Sequence, residues 1–133
     1  MMRVLFVCSR NSVRSPMAEQ LLRATGVADV ASAGVVGDEL DAFVLAALSE
    51  IGLSGPPHPP QALEDLHLGE FDTVVALSDD AEAAARALYG DKIERWNVPD
   101  PTETGGNREQ RLDAYRAVRD LLAGRIRERF GTA

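Results

Sequence analysis

The chain opens with an apolar run that passes through a polar loop directly into a helix. Residues 4–7 (VLFV) are uniformly apolar, as in a strand buried on both faces of a parallel sheet. Ser15 and Pro16 then fit a helix N-cap and a first helical residue, and residues 17–23 are strong helix formers. This opening is typical of an α/β fold.

The remaining chain continues to alternate between short apolar runs and helical segments. The expected strands are residues 3–7, 29–32, 73–77 and 93–98, and the further expected helices are residues 41–51, 79–88 and 108–130. In the last helix, five apolar residues recur at steps of three or four: Leu112, Tyr115, Val118, Leu122 and Ile126. A chain of 133 residues with 45% hydrophobic content can bury one sizeable core. We therefore predict one α/β domain, residues 1–133, with a four-stranded, twisted parallel sheet and helices on both faces.

Charge and composition restrict the partners and the compartment. The net charge of -7 disfavours nucleic acids and anionic membranes as partners. The chain has no 18-residue apolar span, and its first residues enter a strand without a signal-peptide pattern. The single cysteine excludes an internal disulfide and fits a reducing compartment. We expect a cytoplasmic monomer.

That cysteine, Cys8, lies in the loop between the first strand and the first helix, six residues before Arg14. A loop entering a helix presents unpaired backbone N–H groups, and the helix dipole adds partial positive charge there. Such a site binds a phosphate-shaped anion, and an arginine fork can grip two of its oxygens. The same field favours the thiolate of Cys8, a nucleophile facing the anion, although an unreactive buried cysteine is the alternative. The predicted oxyanion-binding residues are Ser9, Arg10, Asn11, Ser12, Val13, Arg14 and Ser15.

Four motifs carry a resemblance to a known family. Residues 4–19 (VLFVCSRNSVRSPMAE) resemble the phosphate-binding loop of the low-molecular-weight protein tyrosine phosphatases and of the arsenate reductases that share their fold. Residues 32–34 (SAG), 71–81 (FDTVVALSDDA) and 96–101 (WNVPDP) follow in the family's order. The resemblance implies Cys8 as the nucleophile, Arg14 as the clamp on the anion and Asp100 as the general acid.

The resemblance implies two chemistries for the same loop. A phosphatase would transfer the phosphoryl group to Cys8, and Asp100 would protonate the leaving aryl oxygen. An arsenate reductase needs a second thiol, which attacks the sulfur of the arseno-cysteine and releases arsenite. Where thioredoxin-linked relatives keep further cysteines, this chain has Val13, Ser78 and Ala85, so the second thiol must come from another molecule.

We predict an arsenate reductase, because residues 102–106 (TETGG) offer no aromatic wall to an aryl substrate. Its co-substrate would be an external thiol such as mycothiol or glutathione. A glutaredoxin- or thioredoxin-like reductase would be its partner, and we expect no tightly bound cofactor. A tyrosine phosphatase and a non-catalytic oxyanion sensor are the alternatives.

No metal site is predicted. Some relatives seat an alkali cation beneath the loop through residues that match Asn11, Glu19 and Ser32, but a fourth carboxylate ligand has no clear match here. His58 and His67 lie on loop-like segments without a matching ligand, so surface or structural roles are expected for both.

Overall fold

A parallel sheet with helices on both faces is the architecture of the computed structural model, which describes residues 1–66 and 71–131. The strands are β1 (Met2–Cys8), β2 (Ala28–Gly34), β3 (Thr73–Ala76) and β4 (Ile93–Arg95). The helices are α1 (Arg14–Thr25), α2 (Ala42–Ser49), α3 (Asp79–Tyr89) and α4 (Arg108–Phe130), with short 3-10 turns at Leu63–Asp65 and Pro101–Glu103. The strand order is β2-β1-β3-β4, and every pair is parallel, so the predicted fold class is confirmed.

The apolar run at the start of the chain forms the centre of this sheet. β1 pairs with β2 from Met2↔Ala28 to Cys8↔Gly34 and with β3 from Val4↔Thr73 to Val7↔Ala76. Side chains alternate between the two faces of a strand. Phe6 and Cys8 therefore pack with α1, α2 and α4, whereas Leu5 and Val7 pack with α3 on the other face. This two-sided burial explains why the run has no polar residue.

The long last helix covers one face as its periodicity indicates. Leu112, Tyr115, Val118, Leu122 and Ile126 are all buried, as predicted. Asn107 caps the helix, and its side chain and that of Gln110 exchange hydrogen bonds with each other's backbone in a capping box. Among the described residues, no helix is both long enough and apolar enough to cross a membrane. His67 lies outside the described residues.

Two predicted boundaries are wrong in ways that bear on the site. β4 ends at Arg95 rather than at residue 98, because after the bond from Trp96 N to Ala76 O the chain leaves the ladder toward Pro99. α1 begins at Arg14, with Val13 rather than Ser15 at the N-cap position. Both changes lie at the carboxyl edge of the sheet, where β1, β3 and β4 bring Cys8, Leu77 and the loop leading to Asp100 together.

Candidate active site

Cys8 ends β1 beneath the start of α1, and its side chain is 3% exposed. No side chain caps α1, since Val13 occupies the N-cap position and has no polar group. The backbone N–H of Ser15 donates a hydrogen bond to Cys8 Sγ, with 3.5 Å between the nitrogen and the sulfur. The helix N-terminus therefore keeps its partial positive charge available to the thiol and to an anion bound beside it.

Ser15 does not cap the helix because its hydroxyl faces Cys8. Ser15 Oγ lies 2.9 Å from Cys8 Sγ and 3.2 Å from Ala33 O, and it accepts a hydrogen bond from Asn11 Nδ2 at 2.8 Å. A hydroxyl has one proton, so it can donate to Ala33 O or to the sulfur. Once Cys8 is deprotonated, donation to Sγ stabilises the thiolate.

Asn11 holds the bend of the loop from inside. It is buried, its φ of 55° lies in the left-handed region, and its amide also donates to Ser32 Oγ at 2.9 Å. Its Oδ1 accepts from the backbone N–H of Gln61 at 3.0 Å. Asparagine tolerates this backbone region better than most residues. Gly34 is required beside it, since a Cβ there would lie 2.6 Å from the Asn11 nitrogen.

Arg14 connects the loop to the ends of the other strands. Its Nη1 donates to Leu77 O at 3.2 Å and to Val98 O at 3.1 Å. These bonds fix the half-buried guanidinium and leave Nε and Nη2 to bind two oxygens of an anion. Because Val98 precedes Asp100 by two residues, the bond to Val98 O also helps to fix the position of Asp100.

Asp100 lies at the opposite side of the cavity, at the N-cap of the Pro101–Glu103 turn. Its Oδ1 accepts from Thr102 N at 3.0 Å and from Thr102 Oγ1 at 2.7 Å. Burial raises the pKa of Asp100, but these hydrogen bonds and the charges of Arg14 and Arg10 outweigh it and hold the pKa below its ordinary value. Without a bound anion, Asp100 is therefore a carboxylate at neutral pH.

These groups share one cavity of about 570 Å³. Of the residues predicted from the sequence, it is lined by Cys8, Ser9, Arg10, Ser12, Val13, Arg14 and Asp100. Asn11 and Ser15 are buried and do not line it. The structure thus divides the predicted residues into those that line the cavity and two, Asn11 and Ser15, that are buried beneath it.

The outer part of the cavity is acidic, which the sequence did not indicate. Asp38, Glu39, Asp41 and Asp100 line it, and none of the described lining residues is aromatic. Arg10 lies 3.9 Å from Asp38 as an exposed ion pair, which places Arg10 at the mouth. Trp96 is 3% exposed and packs against Phe6 and Phe130.

Beneath the loop, Glu19 is the only buried carboxylate among the described residues. Its Oε1 accepts from Ser32 Oγ at 2.5 Å and contacts His58 Nε2 at 2.7 Å, and its Oε2 lies 2.6 Å from Arg23 Nη1. The sequence analysis grouped Glu19 with Ser32 but missed the contacts of Glu19 with His58 and Arg23. The sequence did contain an indication that Glu19 is buried. Glu19 lies three residues from each of the apolar residues Pro16 and Leu22, a spacing that puts all three on the buried face of α1.

The oxygens that an alkali cation would bind are in close contact with the protein's own groups. The oxygens of Glu19, Ser32 and Asn11 that would bind it already face the groups of His58, Arg23, Ser32, Asn11 and Gln61. No cluster of His, Cys, Asp and Glu in residues 1–66 and 71–131 could hold a metal ion.

A buried cysteine, an arginine and a helix N-terminus around one cavity define a cysteine-based, oxyanion-binding α/β protein. The family model for low molecular weight phosphotyrosine protein phosphatase matches residues 3–130. The chain therefore belongs to the low molecular weight phosphotyrosine protein phosphatase family.

Relatives of the chain bear names from both branches of the family. A glutaredoxin arsenate reductase of Synechocystis sp. is 27% identical over 132 residues, which is 97% of this chain and 93% of that protein. The arsenate reductase structure from Archaeoglobus fulgidus is 30% identical with a TM-score of 0.79, covering 96% of this chain and 98% of the other. A low molecular weight protein tyrosine phosphatase structure from T. tengcongensis is 28% identical with a TM-score of 0.76, covering 93% and 94%.

Proposed function

We propose that this protein is a thiol-coupled arsenate reductase, acting in the cytoplasm as a single-domain monomer. The observation that carries the proposal is the cavity itself. It combines Cys8, Arg14 and a helix N-terminus with an acidic outer part that has no aromatic residue among the described lining residues. The cavity thus offers several groups that can bind an anion, whereas a phosphotyrosine ring would find no aromatic side chain to stack against among the described lining residues.

In the first step, Cys8 is the nucleophile toward arsenic. The thiolate attacks As(V), an S–As bond forms, and one arsenate oxygen departs as water after taking up protons. Arg14 and the backbone N–H groups of the loop hold the remaining oxygens through the reaction. Asp100 delivers a proton to the departing oxygen.

In the second step, an external thiolate attacks Cys8 Sγ. The new S–S bond forms as the S–As bond breaks, and the electron pair of that bond stays on arsenic, which leaves as arsenite. Arsenic gains two electrons and two thiols lose them. A further thiol, supplied by the small thiol or by a glutaredoxin- or thioredoxin-like reductase, then reduces the mixed disulfide and regenerates Cys8.

The charge of the outer cavity bears on the identity of that thiol. Asp38, Glu39 and Asp100 line the cavity that the thiol enters and repel a negatively charged co-substrate, and Arg10 offsets part of the charge of Asp38. Glutathione carries net negative charge at neutral pH, whereas mycothiol carries none. Of the two, mycothiol therefore fits this entrance better.

The test couples arsenate reduction to NADPH oxidation. The protein is incubated with arsenate, one thiol at a time and the matching disulfide reductase, and NADPH loss is followed, with Cys8→Ser as the inactive control. Turnover that depends on Cys8 and is faster with mycothiol than with glutathione is expected. NADPH loss that is the same with Cys8→Ser would contradict the proposal.

A tyrosine phosphatase is the second candidate, and the position of Asp100 favours it. A carboxyl group in the same cavity as Cys8 and Arg14 can protonate an aryl leaving group. Release of a phenol from an aryl phosphate, absent with Cys8→Ser, would support this activity. If the protein turns over neither arsenate nor aryl phosphate, the prediction of an enzyme is wrong, and anion binding without turnover would support an oxyanion sensor.

A further inference from the structure

The backbone on both sides of Asp100 is held in place by hydrogen bonds. Before Asp100, the carbonyl oxygen of Val98 accepts from Arg14 Nη1 at 3.1 Å. After it, two backbone hydrogen bonds close the short turn within residues 100–104, at 3.4 Å and 3.2 Å. The prolines on either side of Asp100 restrict the backbone further. The orientation of the carboxyl group therefore depends on what holds the side chain itself.

Thr102 holds that side chain through one of its two oxygens. Asp100 Oδ1 accepts from Thr102 Oγ1 at 2.7 Å and from Thr102 N at 3.0 Å. Asp100 Oδ2 accepts no hydrogen bond from any residue in 1–66 and 71–131. A proton on Oδ1 would occupy one of the two lone pairs that accept the bonds from Thr102, so one bond would be lost. The acid form that keeps both hydrogen bonds therefore carries its proton on Oδ2.

The charged groups around Asp100 act on its carboxyl group as a whole. Arg14 and Arg10 favour the carboxylate through their charge and donate no hydrogen bond to it. Burial, then Asp41, raise the pKa of Tyr115 on α4, and the charge of Asp100 adds to that rise. The other charged groups of the cavity are carboxylates, which favour the protonated form of Asp100: Asp38, Glu39 and Asp41. Among the described residues, only Thr102 distinguishes Oδ1 from Oδ2 by a hydrogen bond.

We propose that Thr102 is a positioning residue, which holds Oδ1 of Asp100 and keeps Oδ2 as the oxygen that transfers the proton. The inference rests on the proposed role of Asp100 as the acid. In the reaction, the proton leaves Oδ2 for the oxygen of the departing group, and the electron pair of the O–H bond stays on Oδ2. Oδ1 keeps both bonds to Thr102 throughout, and Thr102 lines the same cavity as Asp100.

The first measurement follows the carboxyl carbon of Asp100 by NMR as a function of pH, with Asp100→Asn to assign its signal. It needs no turnover, so its outcome is independent of the proposed function. Thr102→Val keeps the shape and the backbone N–H but removes one of the two hydrogen bonds to the carboxylate. Because Thr102 is exposed, water replaces part of the lost bond. The pKa of Asp100 should therefore rise by about one pH unit in Thr102→Val and stay close to the wild-type value in Thr102→Ser.

The second measurement tests whether the bond places the proton. It compares kcat/KM for phenyl phosphate, whose leaving oxygen needs a proton, with kcat/KM for 4-nitrophenyl phosphate, whose leaving oxygen departs readily without one. Thr102→Val should lower the first roughly tenfold and the second less than about twofold, and Thr102→Ser should restore both. If the wild type hydrolyses neither ester, the phosphatase candidate is wrong, and the NMR titration alone decides whether Thr102 holds Asp100.

The matched control is Thr104→Val, the same change at an exposed threonine two residues further on, whose hydroxyl does not bond to Asp100. It should leave the pKa of Asp100 and both values of kcat/KM within error of the wild type. An unchanged pKa of Asp100 in Thr102→Val would overturn the proposal, because the bond would then not hold the carboxylate. Equal losses of kcat/KM for the two esters would also overturn it, because Thr102 would then be structural only.

Discussion

The hydroxyl of Ser15 offers the sharpest test of how the loop activates its nucleophile. In Ser15→Ala, Cys8 Sγ loses a partner at 2.9 Å, and with 3% of its surface exposed it has little access to water as a replacement. A hydrogen bond to a charged group contributes about 1.5–3 kcal/mol, so the thiolate should become roughly 10- to 150-fold less populated in the acidic range. A less stabilised thiolate is intrinsically more reactive, with a Brønsted coefficient of about 0.4–0.5. On a logarithmic scale, the fall in the alkylation rate is therefore about half as large as the fall in the thiolate population. The alkylation rate should fall roughly three- to twelvefold.

The assay is alkylation of Cys8 by iodoacetamide, with the variant and the wild type compared at the same pH. Cys8 is the only cysteine, so the signal has one source and needs no substrate. Ser49→Ala, the same change at an exposed serine in α2, is the control and should match the wild type. Because Asn11 loses an acceptor, Tm should be checked to confirm folding. An alkylation rate for folded Ser15→Ala within twofold of the wild type would refute the assigned role of the hydroxyl.

Three further predictions concern contacts at the cavity and between the end of α2 and α4. Asp100→Asn should slow aryl phosphate hydrolysis by roughly 10²–10⁴ with nearly unchanged phosphate affinity, whereas a collapse of phosphate binding would show that Asp100 is structural. Tyr115→Phe removes a 2.6 Å bond to Asp41 and should lower the free energy of unfolding by about 1–2 kcal/mol in urea titrations; no change would contradict the bond. Hydrogen bonds from Arg116, then Arg119, lower the pKa of Glu50 from 4.5 to about 2, so its stabilisation is present above pH 4.5 and lost toward pH 2. The Tm difference between wild type and Glu50→Gln should accordingly shrink as pH falls from 6 to 3, and a constant difference would count against this linkage.

The features that the sequence predicted well are those set by burial. Val4–Val7 are apolar because both faces of the central strand are covered, and five residues of α4 recur because one face of that helix is buried. Such periodic patterns are readable without knowing the partners. That Cys8 and Arg14 line one cavity was predictable for a related reason, since both belong to the same short stretch between β1 and α1.

The errors at the site arose where a long-range contact outweighed a local preference. Ser15 is a good N-cap residue, yet its hydroxyl bonds to Cys8 and Asn11, and the helix begins earlier without a side-chain cap. The sequence analysis did not predict the contact of His58 with Glu19, which lies 39 residues away. A single sequence carries no signal for a pair so far apart, and the same holds for the bonds from Arg14 to Leu77 and Val98.

The state of Asp100 connects anion binding to proton transfer. Arg14 and Arg10 contribute to lowering the pKa of Asp100, and they also flank the cavity in which the anion binds. An oxyanion bound there offsets both charges, so the carboxyl group gains proton affinity when a substrate is present. Arsenate brings hydroxyl protons of its own to the water that departs, whereas an aryl leaving group has none. We therefore expect Asp100→Asn to slow phosphate ester hydrolysis more strongly than arsenate reduction when both are measured on the same variant.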